Sequence, residues 1–192
     1  MNEYAIVGSR DKSWSFHNLF QGVRLQQVSE AEEVTAVEFH PDGLILAVGL
    51  GDGLVKLYDI RTQKPFKTNE ALKGQGAVTH ITFSNKGLLM AATWRGVEHA
   101  KLMNLKRFDE GGEDIVAGFP GAQATCVSFD YFGGYLLAGQ GQGFSILNAK
   151  QPSAPVHQVE AHDGLVNVVK FSSSGSLIAS GGEDRFLKLF TL

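Results

Sequence analysis

One pattern of strands and turns recurs four times along the chain, and this repeat restricts the fold more than any other feature. A phenylalanine closes the first predicted strand of each unit, and a glycine follows four positions later. Successive phenylalanines lie 44, 46 and 42 residues apart. The pairs are Phe39 with Gly43, Phe83 with Gly87, Phe129 with Gly133, and Phe171 with Gly175. This recurrence predicts stacked copies of one supersecondary unit.

Each unit is predicted to contain four strands. In the unit that starts at Val34, the segment VTAVEF alternates apolar and polar residues, as a strand with two different faces does. The glycine after it permits a tight turn because it tolerates positive φ. The next segment, LILAVGL, is almost continuously apolar and is predicted to be buried on both faces. The segment VKLYDI and a more polar outer strand, at 65–67 here and at 155–159 in a later unit, complete the pattern.

Four strands in every 40 to 45 residues, roughly, are the pattern of WD40 repeats. The predicted fold class is therefore all-β: a WD40 β-propeller, with about four and a half four-stranded blades of an expected seven. We place a partial blade at 1–29, blades at 30–73, 74–120 and 121–161, and a last blade of three strands at 162–192. A β-sandwich with repeated hairpins is the alternative, but its strands need not recur with this period.

The first 29 residues match the second and third strands of a blade, since Asp11 lies 41 residues before Asp52. The chain is thus expected to open inside a blade and to end on a third strand. An open arc of blades exposes unpaired backbone groups and one apolar face. Seven blades would need roughly 300 residues. We therefore expect a C-terminal fragment of a longer propeller, or a ring completed by a second chain.

Composition excludes several function classes. A net charge of −3 argues against a nucleic-acid surface, which needs clustered lysines and arginines. The single cysteine, Cys126, cannot form an internal disulfide and favours a reducing compartment. It begins an apolar strand, so a buried, inert thiol is expected. No run of 18 apolar residues predicts a membrane span.

The last unit contains His162, Ser180 and Asp184, which on paper make a catalytic triad. A structural interpretation is favoured: in a WD40 blade these positions form a hydrogen-bond network that tightens the sheet. Phe190 occupies the position where an indole would complete that network. The glycine-rich segments at 49–53 and 139–143 precede strands rather than helices, so they are predicted to be turns and not phosphate loops. We predict no catalytic, cofactor or metal site.

The remaining candidate site is a surface. Turns between second and third strands, together with the connections into each new blade, are expected to lie on one rim and to bind partners. The candidate rim residues are Arg10, Lys12, Asp52, Trp94, Arg95, Gln142, Glu183 and Arg185. Trp94 and Arg95 are the favoured anchors, because exposed Trp and Arg dominate many interfaces. Alternatively, Trp94 packs over a neighbouring blade. The acidic segment at 108–115 is expected to be a loop.

Several segments resemble the WD40 domain of the pre-mRNA-processing factor 19 family. They are GSRDKSWSFHNL at 8–19, FHPDGLI at 39–45, FSNKG with LLMAAT at 83–93, SFDYFGGYLLAGQG at 128–141 and IASGGEDRFLKLFTL at 178–192. The resemblance implies a nuclear scaffold of a spliceosome-associated complex, with roles in mRNA splicing and DNA repair. It also implies an E3 ubiquitin ligase that acts through a U-box and a tetramerising coiled coil N-terminal to the propeller.

The sequence shows neither a U-box-like segment nor heptads, so the resemblance implies binding rather than transfer chemistry for these blades. The expected partners are protein subunits of a spliceosome-associated complex and ubiquitination substrates, with no direct nucleic acid and no membrane. Oligomerisation is expected through regions absent here. A WD40 adaptor of an unrelated intracellular complex is the alternative function. A hydrolase that uses Ser180 is the third hypothesis.

Overall fold

The computed structural model describes residues 3–70, 73–115 and 121–192. Consecutive strands form five antiparallel sheets. The first sheet contains β1 Tyr4–Ser9, β2 Ser13–Asn18 and β3 Val23–Ser29, and the second contains β4 Val34–Phe39, β5 Ile45–Leu50, β6 Val55–Asp59 and β7 Lys64–Asn69. The third contains β8 Val78–Phe83, β9 Leu89–Trp94, β10 Ala100–Asn104 and β11 Glu113–Ile115, and the fourth contains β12 Ala124–Phe129, β13 Tyr135–Gln140, β14 Gly143–Asn148 and β15 Gln151–Glu160. The fifth contains β16 Val166–Phe171, β17 Leu177–Gly182 and β18 Leu187–Thr191. This confirms the all-β propeller class.

The repeated phenylalanine and glycine mark the end of each inner strand and the turn after it. Strands β4, β8, β12 and β16 all end on the phenylalanine. In the first of these turns, the Gly43 N–H donates to the His40 carbonyl at 2.9 Å, and the φ of Gly43 is 71°. The other three glycines have φ between 67° and 73° and make the same bond. The glycine recurs because a side chain there would be strained.

Neighbouring blades stack through a small residue on the second strand. A Cβ added to Gly49 on β5 would lie 2.6 Å from Cγ1 of Val78, at the start of the next inner strand. A Cβ added to Gly8 would likewise lie 2.7 Å from Cγ1 of Val34, and one added to Gly139 would lie 3.3 Å from Cγ1 of Val166. Since Gly8 is on β1, that strand corresponds to the second strand of the later blades. One apolar core fills each junction between blades.

The acidic segment at 108–115 is not the loop that its composition indicated. A 3-10 helix, Leu105–Glu110, carries Phe108 into the core, where its side chain is fully buried. The Asn69 side-chain amide donates to the Phe108 carbonyl at 2.7 Å, and strand β11 follows. The segment was predicted to be a loop because most of its residues are charged, but its one phenylalanine packs in the core. The prediction from average polarity was therefore wrong. Residues 116–120 of this blade lie outside the described residues.

The Gly49→Val substitution is expected to lower the free energy of unfolding by about 1–3 kcal/mol, because the new side chain overpacks the junction with Val78. Urea unfolding followed by circular dichroism measures the change. Gly134→Ala is the matched control, since a Cβ at that position meets nothing within 4 Å. Equal losses for the two variants would contradict close stacking at Gly49.

Candidate interaction surface

The candidate rim residues come from equivalent turns at one end of the sheets. The turns β1–β2, β5–β6, β9–β10, β13–β14 and β17–β18 all join a second strand to a third. Because neighbouring strands are antiparallel, these turns and the connections between blades share one end, and the other turns share the opposite end. We call the first end the rim. Its candidates Arg10, Lys12, Arg95, Gln142, Glu183 and Arg185 are exposed, and Asp52 is half-buried.

Backbone hydrogen bonds tie four of the rim turns, those after β1, β5, β9 and β13, to the connection that enters the next blade. The Lys12 carbonyl accepts from the Glu30 N–H at 2.7 Å, and the Gln142 carbonyl accepts from the His162 N–H at 2.9 Å. The Asp52 carbonyl accepts from the Gly74 N–H at 2.6 Å. The rim is therefore braced from blade to blade. Because the backbone of such a surface is already ordered, little backbone entropy is lost when a partner binds.

Trp94 does not belong to this exposed surface, and its prediction as an anchor is wrong. Its side chain is 1% exposed, and its indole N–H donates to the Gly53 carbonyl of the preceding blade at 2.9 Å. Trp94 therefore acts as a wedge between blades, the alternative that the sequence left open. It pairs with Val78 as Leu50 pairs with Val34, and Leu50 is also fully buried. Aligning the two repeats in the sequence, which places Trp94 opposite the apolar Leu50, could have predicted that Trp94 is buried.

His162, Ser180 and Asp184 form one hydrogen-bonded chain in the last blade. The Asp184 carboxylate oxygens lie 2.9 Å from His162 Nδ1, and Ser180 Oγ lies 2.7 Å from His162 Nε2. A carboxylate only accepts, so Nδ1 carries a proton; in the neutral ring Nε2 accepts from the serine hydroxyl. Burial alone would raise the pKa of Asp184, but bonds from the Phe186 N–H and from His162 hold it below its ordinary value.

The environment of Ser180 favours a structural role over catalysis. Ser180 is 1% exposed as a whole residue, and the His162 side chain is fully buried, so a substrate has no path to the hydroxyl. The Asp184 carboxylate also accepts from the Asp163 N–H at 3.2 Å. The network thus joins the connection before the blade to its second strand and to the following turn.

Ser180→Ala is expected to cost about 1–2 kcal/mol of folding stability, since it leaves a buried imidazole nitrogen without its partner. Thermal melting measures the loss. Hydrolysis of p-nitrophenyl acetate should be equally slow with both proteins. Ester turnover that disappears in Ser180→Ala would instead support the hydrolase hypothesis.

The second blade contains a network that the sequence did not indicate. Glu30 accepts from the Tyr58 hydroxyl and from Lys56 Nζ, the latter at 2.7 Å, and the glutamate side chain is only 2% exposed. Burial raises the pKa of Tyr58, and Glu30 raises it further, so the phenol remains a donor. Glu30 precedes Val34 by four residues, as His162 precedes Val166. That spacing could have identified the network.

Within the described parts of the chain, no cluster of three or more His, Cys, Asp or Glu side chains could hold a metal ion. Cys126 is buried, and desolvation raises the pKa of its thiol, which keeps it protonated. A search of the described helices for one long and apolar enough to cross a membrane found none.

Comparison with known proteins gives two family matches. A β-propeller model described as the N-terminal domain of nucleolar protein 10-like proteins matches residues 7–124. A WD-repeat model, the G-beta repeat, matches residues 153–191. Together they cover most of the five sheets.

Curated relatives match nearly the whole chain. Pre-mRNA-processing factor 19 of Oryza sativa subsp. japonica is 32% identical over 98% of this chain and 36% of its own length. Homolog 2 of Arabidopsis thaliana is 32% identical over 100% of the chain and 36% of its length. The protein of Homo sapiens is 33% identical over 96% and 36% respectively. The chain thus spans about a third of the length of these relatives.

Proposed function

This chain belongs to the family of nucleolar protein 10-like β-propellers and WD repeats, and we propose that it is a protein-binding scaffold of the pre-mRNA splicing machinery. In the finer form of the proposal, the blades bind partner subunits and substrates of a nuclear E3 ubiquitin ligase that also serves DNA repair. They position proteins and catalyse nothing themselves. Similarity to pre-mRNA-processing factor 19 over the whole chain supports the link to splicing.

The hydrogen-bonded backbone of the rim is the observation that best supports a role in protein binding. Six charged or polar candidate side chains project from the rim turns, and the four turns that precede another blade have backbones hydrogen-bonded to the connection into that blade. Rigid placement of exposed arginines and polar groups favours specific protein contacts, because little ordering is needed on binding. Both charge signs occur on this rim, which suits protein partners better than a nucleic-acid backbone.

The test is recovery of partners by the natural full-length protein from nuclear extract. We expect Glu183→Lys to reduce recovery of splicing subunits at least tenfold, because it reverses a charge on the rim. Glu113→Lys is the matched control: it makes the same change at an exposed glutamate on the outer strand β11. Quantitative mass spectrometry reads both out. Unchanged recovery with Glu183→Lys, or equal loss with Glu113→Lys, would contradict binding through the rim.

A scaffold in an unrelated intracellular complex is the second candidate function. The match of residues 7–124 to the nucleolar protein 10-like domain favours it, because that family is named for a different protein. The same purification separates the two: recovery of nucleolar proteins without splicing subunits would support the alternative.

A further inference from the structure

The junction between the fourth and fifth blades is open at the end of the sheets opposite the rim. Between the second and third blades, the residue after the repeated phenylalanine, His40, fills this place, and its Nε2 lies 2.8 Å from the Gly87 carbonyl. Ser84 holds the equivalent position in the third blade, and a Cβ added to Gly133 of the next turn would lie 3.3 Å from the Ser84 Cβ. A Cβ added to Gly175, at the next junction, would meet no described atom within 4 Å.

Asp130 holds the equivalent position in the fourth blade, where its carboxylate is engaged by its own turn. The carboxylate accepts from the Tyr135 N–H at 2.7 Å and from the Phe132 N–H at 3.2 Å. The place left open is a depression with a volume of about 460 Å³, which is in the size range of binding pockets. Its apolar lining consists of Phe132, Tyr135, Ile146, Val156, Phe171 and Leu192.

Two aromatic rings at the edge of this depression project into solvent from the turn between β12 and β13. Phe132 is 73% exposed and Tyr131 is 56% exposed, and their rings meet edge to face at 5.3 Å. Exposed aromatic side chains that adjoin an apolar hollow mark binding surfaces, because contact removes a large apolar area from water. The turn itself does not require them, since the equivalent turns carry Pro41 with Asp42, Asn85 with Lys86, and Ser173 with Ser174.

The polar groups of the depression limit how an occupant can bind. The Ser174 hydroxyl lies 3.0 Å from that of Ser172 and 2.7 Å from that of Ser176. With Asp130 engaged as well, few groups are left to pair with a ligand. An extended peptide would therefore bury backbone N–H and C=O groups without partners, which is costly. The backbone of an α-helix is hydrogen-bonded internally, so a helix can insert apolar side chains alone.

The size of the patch separates a single segment from a second folded copy of this chain. Tyr135 is 47% exposed, and together with Tyr131 and Phe132 it presents roughly 350 Å² of aromatic surface, if a whole side chain offers about 200 Å². A stable complex of two folded proteins buries about 800 Å² on each partner. The patch is too small for that, but it matches two or three anchor side chains of one helix.

We propose that this depression, with Tyr131 and Phe132 at its edge, binds the apolar face of an amphipathic helix in a partner protein. The helix inserts side chains spaced three or four residues apart, which lie on one of its faces. This surface is separate from the rim and lies at the opposite end of the sheets, so the two surfaces can hold different proteins at once.

The test selects ligands of the full-length protein from phage that display random peptides of about 16 residues, long enough for four helical turns. Phage that also bind the Phe132→Ser variant are removed first. We expect the enriched peptides to share apolar residues at positions i, i+3 or i+4, and i+7. The circular dichroism of the most enriched peptide should show helix gained when it binds.

Fluorescence anisotropy with that peptide then maps the site. Val156→Ser, which changes a side chain of the lining that is 62% exposed, should weaken binding at least tenfold. Phe66→Ser is the matched control, because it removes a ring that is 51% exposed on β7 and should leave binding unchanged. Glu183→Lys should also leave it unchanged, so this surface and the rim can fail independently.

Four outcomes would overturn the proposal. They are enrichment of no peptide, enrichment of proline-rich or strictly alternating sequences in place of the helical spacing, binding that is unaffected by Val156→Ser, and equal loss with Phe66→Ser. A lower mass of the Phe132→Ser variant than of wild type in light scattering would instead assign the depression to a second copy of the chain, and would also contradict helix docking.

Discussion

Trp94→Ala is expected to lower the free energy of unfolding by about 3–5 kcal/mol, the range for removal of a large buried aromatic side chain. The indole is 1% exposed and lies in the core shared by the second and third blades, with Leu57 and Met90. Its loss opens a cavity at the junction and leaves the Gly53 carbonyl without its donor. Urea unfolding monitored by circular dichroism measures the change.

Trp94→Phe separates the two contributions. Phenylalanine retains most of the apolar contact but cannot donate to Gly53, so we expect a smaller loss, of about 1–2 kcal/mol. Phe66→Ala is the control for loss of an aromatic ring, because that side chain is 51% exposed on the outer strand β7. If Trp94→Ala unfolded at the same urea concentration as wild type, the indole would not join the blades.

Glu30→Ala should destabilise the protein by about 3–5 kcal/mol, the usual cost of removing one partner from a buried ion pair. Glu30 holds the Lys56 ammonium at 2.7 Å and accepts the Tyr58 hydroxyl. Without it, a mostly buried cation and a phenol lose their acceptor. Thermal and urea unfolding should both report the loss.

Glu32→Ala is the matched control, since its pair with Lys12 is exposed and 3.6 Å long. Exposed pairs contribute about 0–1 kcal/mol. Glu30→Gln should lose less than Glu30→Ala, because an amide oxygen still accepts the phenol. Equal stability of the Glu30→Ala and Glu32→Ala variants would show that the network in the second blade contributes nothing.

The sequence was sufficient for the fold where local pattern determines structure. Each inner strand ends on its repeated phenylalanine, because the strand and the turn after it are set by a few adjacent residues. The glycine four positions later has positive φ in all four turns, a local requirement that the residue type reveals. Strand number and order follow from the period, because each blade is an antiparallel meander.

The candidate site was harder to predict because burial depends on the neighbouring blade. Trp94 follows strand residues and precedes a turn, so its sequence context also fits an exposed anchor; only the Gly53 carbonyl of another blade fixes it inside. Phe108 lies among charged residues in the sequence, and its burial was also missed because it depends on another blade: Asn69 of the preceding blade donates to its carbonyl. Alignment of the repeats with one another, rather than inspection of each residue, would have found Trp94 and Glu30.

The most direct test of the proposed role is photo-crosslinking from defined positions on the full-length protein in nuclei. We would place p-benzoylphenylalanine at Gln142, exposed on the rim, and in a separate variant at Phe66, exposed on an outer strand. Mass spectrometry identifies the captured proteins. We expect splicing subunits to be captured from position 142 and not from position 66. Capture of those subunits from position 66 alone would contradict binding through the rim.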